Sequence, residues 1–237
     1  MLPDFSTIND STLVLYLFLA ALGYVLGSIP FGYVLVKMSG GGDIRHVGSG
    51  NIGATNVLRT GKRSLAIATL VLDISKGVAA VLIAQHFEPW LGALAGFTAL
   101  LGHLYPVWLQ FKGGKGVATT AGILLAIDWR LGLATCVCWL LVALLFRYSS
   151  LAALTAIILS PVFAWIFDVS EYIPFCLLMA LLVWLRHRTN IMRLVQGIEP
   201  KINLKKKKEK EKEAEQSTDT ETTEAEHAKP PGSDPAL

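Results

Sequence analysis

Nine consecutive residues, Gly48-Ser49-Gly50-Asn51-Ile52-Gly53-Ala54-Thr55-Asn56, place three glycines among four polar side chains. Glycines let several backbone N–H groups turn toward one anion. Ser49, Asn51, Thr55 and Asn56 add side-chain donors, and Arg45 and Arg59 bracket the run with positive charge. Phosphate binding is the chemistry such a stretch performs, and a flexible loop is the alternative. It is not a Walker loop, because Gly61-Lys62 is followed by Arg63 and the position five before Gly61 is Asn56. A second stretch, Lys112-Gly113-Gly114-Lys115-Gly116, immediately precedes an apolar run containing Thr119 and Thr120. A helix beginning there presents free N–H groups and positive dipole character to an anion, with the Lys115 ammonium beside it. The alternative is a basic turn at a membrane face.

A third stretch holds His187, Asn190 and Arg193 at intervals of three, so on a helix His187 and Asn190 share a face, as do Asn190 and Arg193. Histidine can serve as base or donor near neutral pH, and Asn190 can both donate and accept. Charge that stops membrane transfer accounts for the arginines but not for His187 with Asn190. Asp73 and Lys76 interrupt an apolar run at i, i+3 spacing, which is costly in a bilayer unless the pair is matched and inward-facing. We read them as a structural ion pair, with a proton relay as the alternative. His103, shortly before Pro106, reads as a packed, hydrogen-bonded side chain, with shaping of a ligand site as the second possibility.

The elements that must carry these groups are apolar helices. Of 237 residues 53% are hydrophobic and 16% charged, with net charge +3. Residues 201–237 hold 8 Lys and 9 Asp or Glu but only 7 hydrophobic residues, too few to bury a core, so they read as a disordered Lys/Glu-rich tail. The remaining 200 residues are about 59% apolar. That excludes a soluble enzyme, a nucleic-acid binder and a disulfide scaffold, and leaves a polytopic membrane protein. Cys136, Cys138 and Cys176 all lie in apolar runs, and neither a disulfide nor a metal site is expected.

Apolar runs near 12–38, 64–85, 90–110, 116–128, 130–146, 150–168 and 171–186 predict seven transmembrane helices in an all-α fold, the fourth of them short. Lys37, Arg45, Arg59, Lys62 and Arg63 crowd the first connection, Lys112 and Lys115 the third, Arg147 the fifth, and Arg186, Arg188 and Arg193 follow the last run. The second and sixth connections carry neither Lys nor Arg, and only Arg130 breaks the alternation. Basic residues concentrate on the cytoplasmic side, so the N-terminus is expected outside and the C-terminus in the cytoplasm. The opening residues carry Asp4 and Asp10 and no basic group, so the first run is read as a retained helix and not a cleaved signal. Two parts result: a membrane-embedded domain over 1–200 and a cytoplasmic tail over 201–237.

Taken together, Gly48 to Asn56, Asp73-Ile74-Ser75-Lys76-Gly77, Gly102-His103-Leu104-Tyr105-Pro106, Gly113 to Thr119 and His187-Arg188-Thr189-Asn190-Ile191 resemble one family, the bacterial acyl-phosphate:glycerol-3-phosphate acyltransferases. The resemblance runs from about Gly27 to Glu199 in order and spacing and leaves the tail uncovered. It implies transfer of a fatty acyl group from acyl phosphate to the 1-hydroxyl of glycerol 3-phosphate, giving lysophosphatidic acid and inorganic phosphate in the first acylation of phospholipid synthesis. It also implies a multi-pass protein of the bacterial inner membrane with its site facing the cytoplasm, no cofactor and no metal. The partners are membrane lipid and, by function, the enzyme that makes acyl phosphate. By motif position it assigns substrate and phosphate contacts to the glycine loop with Ser49, to Arg59, to Lys115, and to His187 and Asn190.

With the bottom-up reading added, the expected catalytic set is His187, Asn190 and Ser49. The expected phosphate contacts are Gly48, Gly50, Asn51, Gly53, Thr55, Asn56, Arg45, Arg59, Gly113, Gly114, Lys115 and Gly116. Asp73, Lys76 and His103 are expected to support them. No His is followed five positions later by Asp, the pattern of acyl-CoA-dependent glycerolipid acyltransferases. A phosphate or organic-anion transporter and a lipid-binding membrane scaffold are the competing classes. The transporter reading lacks an internal repeat, and the polar motifs gather on one face.

Overall fold

The computed structural model describes residues 9–202. Apart from Lys201 and Ile202, the tail expected over 201–237 lies outside the described residues. Ten α-helices and three short 3₁₀ turns, with no strand, make up the described residues. They are α1 (Asp10–Ser28), α2 (Phe31–Met38), α3 (Ala54–Arg59), α4 (Arg63–Gln85), α5 (Pro89–Leu104), α6 (Val117–Ile127), α7 (Trp129–Phe146), α8 (Ser149–Ile166), α9 (Ile173–Arg186) and α10 (Arg188–Val195). All seven apolar runs are thus helical. Five stretches are long and apolar enough to cross a membrane: Asp10–Met38, Arg63–Gln85, Pro89–Leu109, Trp129–Phe146 and Ser149–Ile166.

The first apolar run is two helices, not the single one expected. Pro30 lacks an N–H and disfavours helix in Ile29 before it, so α1 ends at Ser28 and α2 starts at Phe31. The break leaves the Ile29 carbonyl with only the Phe31 N–H of its own chain segment, at 3.1 Å, where a bilayer cannot hydrate it. Lys76 Nζ, from the middle of α4, donates to it at 2.9 Å.

Helix pairs close through small residues, as expected where lipid leaves packing to drive association. A Cβ on Gly27 or Gly102 would overlap the backbone of α5 or α1, and one on Gly77 or Gly122 would overlap α6 or α4. Those contacts draw α5 onto α1 and α6 onto α4. The largest buried apolar cluster joins Val81, Leu100, Leu104, Ile123, Leu124, Leu131, Met179 and Val183, fixing α4 through α9 around the short α6.

The connections meet in two groups. Thr55 Oγ1, after the first apolar run, lies 3.4 Å from Ser149 Oγ after the fifth. Lys115, after the third, donates to Asn190 after the seventh. Arg130, at the fourth connection, pairs with Asp128 at 2.8 Å and lies over the Phe167 ring at the sixth. The one basic residue that opposed the charge alternation is therefore matched by a carboxylate.

Candidate functional site

The glycine loop is organised by one buried side chain. Asn56 is 1% exposed. Its Nδ2 donates to the carbonyls of Val47 and Asn51 at 2.8 Å and of Ile44 at 3.3 Å, while its Oδ1 accepts from the Ser49 N–H at 3.0 Å. The Gly50 N–H donates to the Val47 carbonyl. Gly48 has φ +57°, and a Cβ there would press on Asn56 Oδ1, so glycine is needed for both its conformation and its size. Two amides expected to face an anion, those of Ser49 and Gly50, are engaged inside the loop, and Asn56 holds the loop instead of offering itself to a ligand.

Arg45 also differs from expectation. Asp43 caps the turn Ile44–His46 and takes the guanidinium back onto itself, with Nη2 to Oδ2 at 2.6 Å and the Tyr33 ring beneath. That hydrogen bond outweighs the small cost of burial and holds the Asp43 carboxyl at about 2. Arg45 is thus matched locally. Ser49 and Arg59, both exposed, instead line an open cleft of about 390 Å³ with Gly48, Arg193 and Pro200.

The Lys112–Gly116 turn is held from two sides. The amides of Gly113 and Gly114 donate to the carbonyls of Leu104 and His103 at 3.2 and 3.0 Å. The carbonyls of the same two glycines accept from Arg186, Nη2 to Gly113 at 2.8 Å and Nε to Gly114 at 3.2 Å. These glycines shape the turn and do not face an anion with their amides. What the turn delivers is the Lys115 side chain and the start of α6, which has no side-chain cap.

Lys115 Nζ donates to Asn190 Oδ1. Asn190, 4% exposed, donates from Nδ2 to Glu199 Oε1 at 2.6 Å. Ser150 Oγ donates to the same oxygen at 2.7 Å, and Arg193 Nε to Glu199 Oε2 at 2.7 Å. Glu199 arrives there because α10 ends in a Schellman turn: Gly197, at φ +70°, donates to Leu194 and Ile198 to Arg193. Burial raises the Glu199 carboxyl, but the bonds from Ser150, Asn190 and Arg193 prevail and keep it below its ordinary value. Burial pushes the Lys115 ammonium down to about 8; Glu199 opposes this, while Arg193, Arg59 and Arg186 reinforce it. Three arginines therefore bear on Lys115 against a single carboxylate, leaving excess positive charge beside the cleft.

His187, just past α9 and 2% exposed, points Nδ1 at the Val183 carbonyl at 2.8 Å. A carbonyl only accepts, so Nδ1 carries the proton and Nε2 is the acceptor of the neutral ring. Burial, against the Val183 bond and with help from Lys115, pushes this histidine down to about 4.

Ser49 and Arg59 thus line the cleft, Lys115 and Asn190 join its wall through Glu199 and Arg193, and His187 is buried within electrostatic reach of Lys115, while Arg45 and Asn56 are set to other work. Thr55 meets Ser149, and a Cβ on Gly53 would press on the Asn51 side chain, so this end of the loop packs largely on itself and α8. Asp73, Lys76 and His103 lie together below the Lys112–Gly116 turn. Sequence reasoning missed Glu199 and Ser150, and took Arg186 and Arg193 for membrane-flanking charge. One signal was available: Glu199 is the sole acidic residue between Glu171 and the tail, shortly after Arg186, Arg188 and Arg193.

Comparison with known proteins is consistent with this geometry. The family described as glycerol-3-phosphate acyltransferase matches residues 17–197. A glycerol-3-phosphate acyltransferase of Rhodospirillum rubrum is 55% identical over 196 residues, covering 79% of this chain and 91% of the relative. One from Caulobacter vibrioides strain NA1000 is 56% identical over 188 residues, covering 78% and 86%. The crystal structure of PlsY (YgiH), an integral membrane glycerol 3-phosphate acyltransferase in its glycerol 3-phosphate form, superposes with TM-score 0.76 at 39% identity, covering 79% of this chain and 96% of that one. Its lysophosphatidic acid form gives 0.74 at 38% identity. The chain belongs to the glycerol-3-phosphate acyltransferase family and is a multi-pass membrane protein.

Proposed function

We propose that this member of the family transfers a fatty acyl group from acyl phosphate to the 1-hydroxyl of glycerol 3-phosphate, releasing lysophosphatidic acid and inorganic phosphate. The observation that carries the reading is the cleft itself: Ser49, Arg59 and Arg193 line it, and Lys115 and Arg186 add charge beside it. Both substrates bear phosphate, and clustered cations near a low-dielectric bilayer bind such groups strongly.

Acyl phosphate is a mixed anhydride with a good leaving group, so no covalent enzyme intermediate is required. The hydroxyl oxygen attacks the acyl carbon, the carbon–oxygen bond to phosphorus breaks, and phosphate departs with the proton. Arg59 and Lys115 hold charged phosphates, and Ser49 donates from its exposed hydroxyl. Asn190, fixed between Lys115 and Glu199, sets the direction of the Lys115 ammonium. A histidine pushed to about 4 is a weak base at neutral pH. Its Nε2 is suited to accept a hydrogen bond from the attacking hydroxyl and orient it, while a phosphate oxygen takes the proton.

We further assign seven membrane crossings, with the N-terminus outside and this cleft at the cytoplasmic face of the bacterial inner membrane. The meeting of the first, third, fifth and post-seventh connections on one side, and of the fourth and sixth together, supports an odd, alternating path. α6, with 11 residues, is only about 17 Å long, so it crosses as a short helix wrapped by protein, where backbone ends can be satisfied.

The test is release of inorganic phosphate from palmitoyl phosphate by purified protein in lipid, with and without glycerol 3-phosphate. Release dependent on glycerol 3-phosphate, reduced about 100-fold or more in a folded Lys115→Ala variant, is the expected result. No release from folded wild-type protein refutes the assignment and directs the search to anion transport.

A further inference from the structure

Beneath the Lys112–Gly116 turn lies a buried polar group that the chemistry above does not use. Asp73 and Lys76 are 2% and 4% exposed, with Lys76 Nζ 2.8 Å from Asp73 Oδ1. Lys76 Nζ also donates to the Ile29 carbonyl, at the break between α1 and α2. His103, at the end of α5, turns Nδ1 toward the same Asp73 oxygen at 3.7 Å. The opposite edge of the ring lies against Gly114: a Cβ there would overlap Nε2. The carbonyl of His103 accepts the Gly114 N–H. One carboxylate within α4 therefore faces both the broken first run and the ring supporting the turn that carries Lys115.

We propose that Asp73 is a positioning residue for Lys115, acting through His103, and this rests on the assignment of Lys115 to phosphate binding. A carboxylate in a bilayer is retained only where it is matched, and an ion pair with Lys76 alone would need no histidine. Asp73 Oδ1 lies 3.7 Å from Nδ1, beyond hydrogen-bond length, so the carboxylate biases the ring's orientation by its charge, and the edge drawn toward Asp73 leaves Nε2 against Gly114. Gly114 is fixed on its other side by Arg186. With both sides held, the chain leaves Gly114 in one direction and Lys115 reaches Asn190. An ångström of displacement at a reacting centre costs roughly 100-fold, so a loosened ring would be felt at the phosphate without changing any group that touches it.

The test compares wild type, Asp73→Asn, His103→Gln and the double variant. The first readout is phosphate release from palmitoyl phosphate. The second is the inorganic phosphate concentration that half-protects Lys115 from an amine-reactive acylating reagent, followed by mass spectrometry. Asp73→Asn keeps the shape and removes the charge. It is expected to raise the half-protecting concentration, and the KM for a phosphate substrate, at least tenfold, with melting temperature within a few degrees of wild type. His103→Gln is expected to do the same, and the double variant to be no worse than His103→Gln alone, because the two act in series. A purely structural role for Asp73 would instead add to the histidine defect and lower the melting temperature.

Half-protection within twofold of wild type in folded Asp73→Asn, or additive defects in the double variant, overturns the proposal. If Asp73→Asn does not fold, His103→Gln decides, and wild-type protection there is equally fatal. If the wild type protects Lys115 with phosphate but transfers no acyl group, the acyltransfer assignment fails while the positioning claim is still judged by protection.

Discussion

The two glycine-rich turns look alike in sequence and are built in opposite ways. The Gly48–Asn56 loop is organised from within: one asparagine side chain forms four hydrogen bonds to its own loop, and the loop sits at the surface with Ser49 and Arg59 exposed. The Lys112–Gly116 turn is organised from without, by the backbone at the end of α5 on one side and the Arg186 guanidinium on the other. In both, glycine amides that the sequence suggested as anion donors are already engaged. Glycine is present for shape, and in the proposed function the ligand-facing chemistry passes to neighbouring side chains: Ser49 and Arg59 in one, Lys115 in the other. A glycine-rich stretch can therefore have its amides engaged within the chain and still place side chains for an anion.

The strongest way to break this comparison is to add one methyl group inside the Lys112–Gly116 turn and one at a glycine outside both turns. Gly114→Ala would drive a Cβ into the His103 ring, and a turn held on both faces has nowhere to move. A loss of about 10- to 100-fold in kcat/KM is expected, since roughly an ångström of misplacement suffices. Gly42→Ala, in the first connection, meets nothing within 4 Å; only the cost of a left-handed backbone, about 1 kcal/mol, applies, and kcat/KM should stay within about twofold. Equal losses in the two variants would mean that glycine flexibility, and not the supported shape, is what the Lys112–Gly116 turn requires.

A smaller effect is expected from Asn56→Ala. It leaves the Ser49 N–H and the Asn51 carbonyl without this partner, and removes one of two bonds from the Val47 and Ile44 carbonyls, which still accept from the Gly50 and Val47 N–H groups. Unmatched buried groups cost about 1–3 kcal/mol each, and water admitted to the loop recovers part of that. A drop of several degrees in melting temperature is expected, together with a fall in activity that saturating substrate partly restores. A variant as stable as wild type would show that the loop has a second organiser.

The pH profile separates the turns further. Lys115 is protonated below about 8 and loses its charge as pH rises through that value. Phosphate affinity is thus expected to be retained below pH 8 and to weaken above it, bound phosphate shifting the midpoint upward. Lys115→Arg should move the alkaline fall to higher pH; an unchanged limb would assign it elsewhere. His187, neutral well above its value of about 4, should contribute no limb between pH 5 and 7.5.

Much of this was legible in the residues because membrane insertion imposes coarse rules. Seven apolar runs map onto helical segments, and the glycine loop with Arg59 meets Arg193 from the far end of the described residues at one cleft. What sequence did not give depends on neighbours distant in the chain. Pro30 announced a break only once Lys76, 46 positions later, was seen supplying the lost partner. Glu199 stood beside a charged tail and was passed over, although the turn at Gly197 folds it back onto Asn190. Arg45 and Arg59 were equivalent as flanking charges until Asp43, two residues from Arg45, was found to hold it.

That last distinction supplies the smallest expected effect. Arg45 and Asp43 are a third and a quarter exposed as side chains, so as a surface ion pair they contribute about 0–1 kcal/mol to stability. Arg45 lies over Tyr33 and does not line the cleft. Arg45→Ala should therefore leave kcat/KM within about twofold of wild type, whereas Arg59→Ala, removing from the cleft wall a cation with no carboxylate partner among the described residues, should lower it by at least tenfold. Equal losses would mean that phosphate draws Arg45 away from Asp43 on binding. In that event Asp43→Asn, which frees the guanidinium beforehand, should tighten phosphate binding, and unaltered affinity in that variant would return Arg45 to a purely local role.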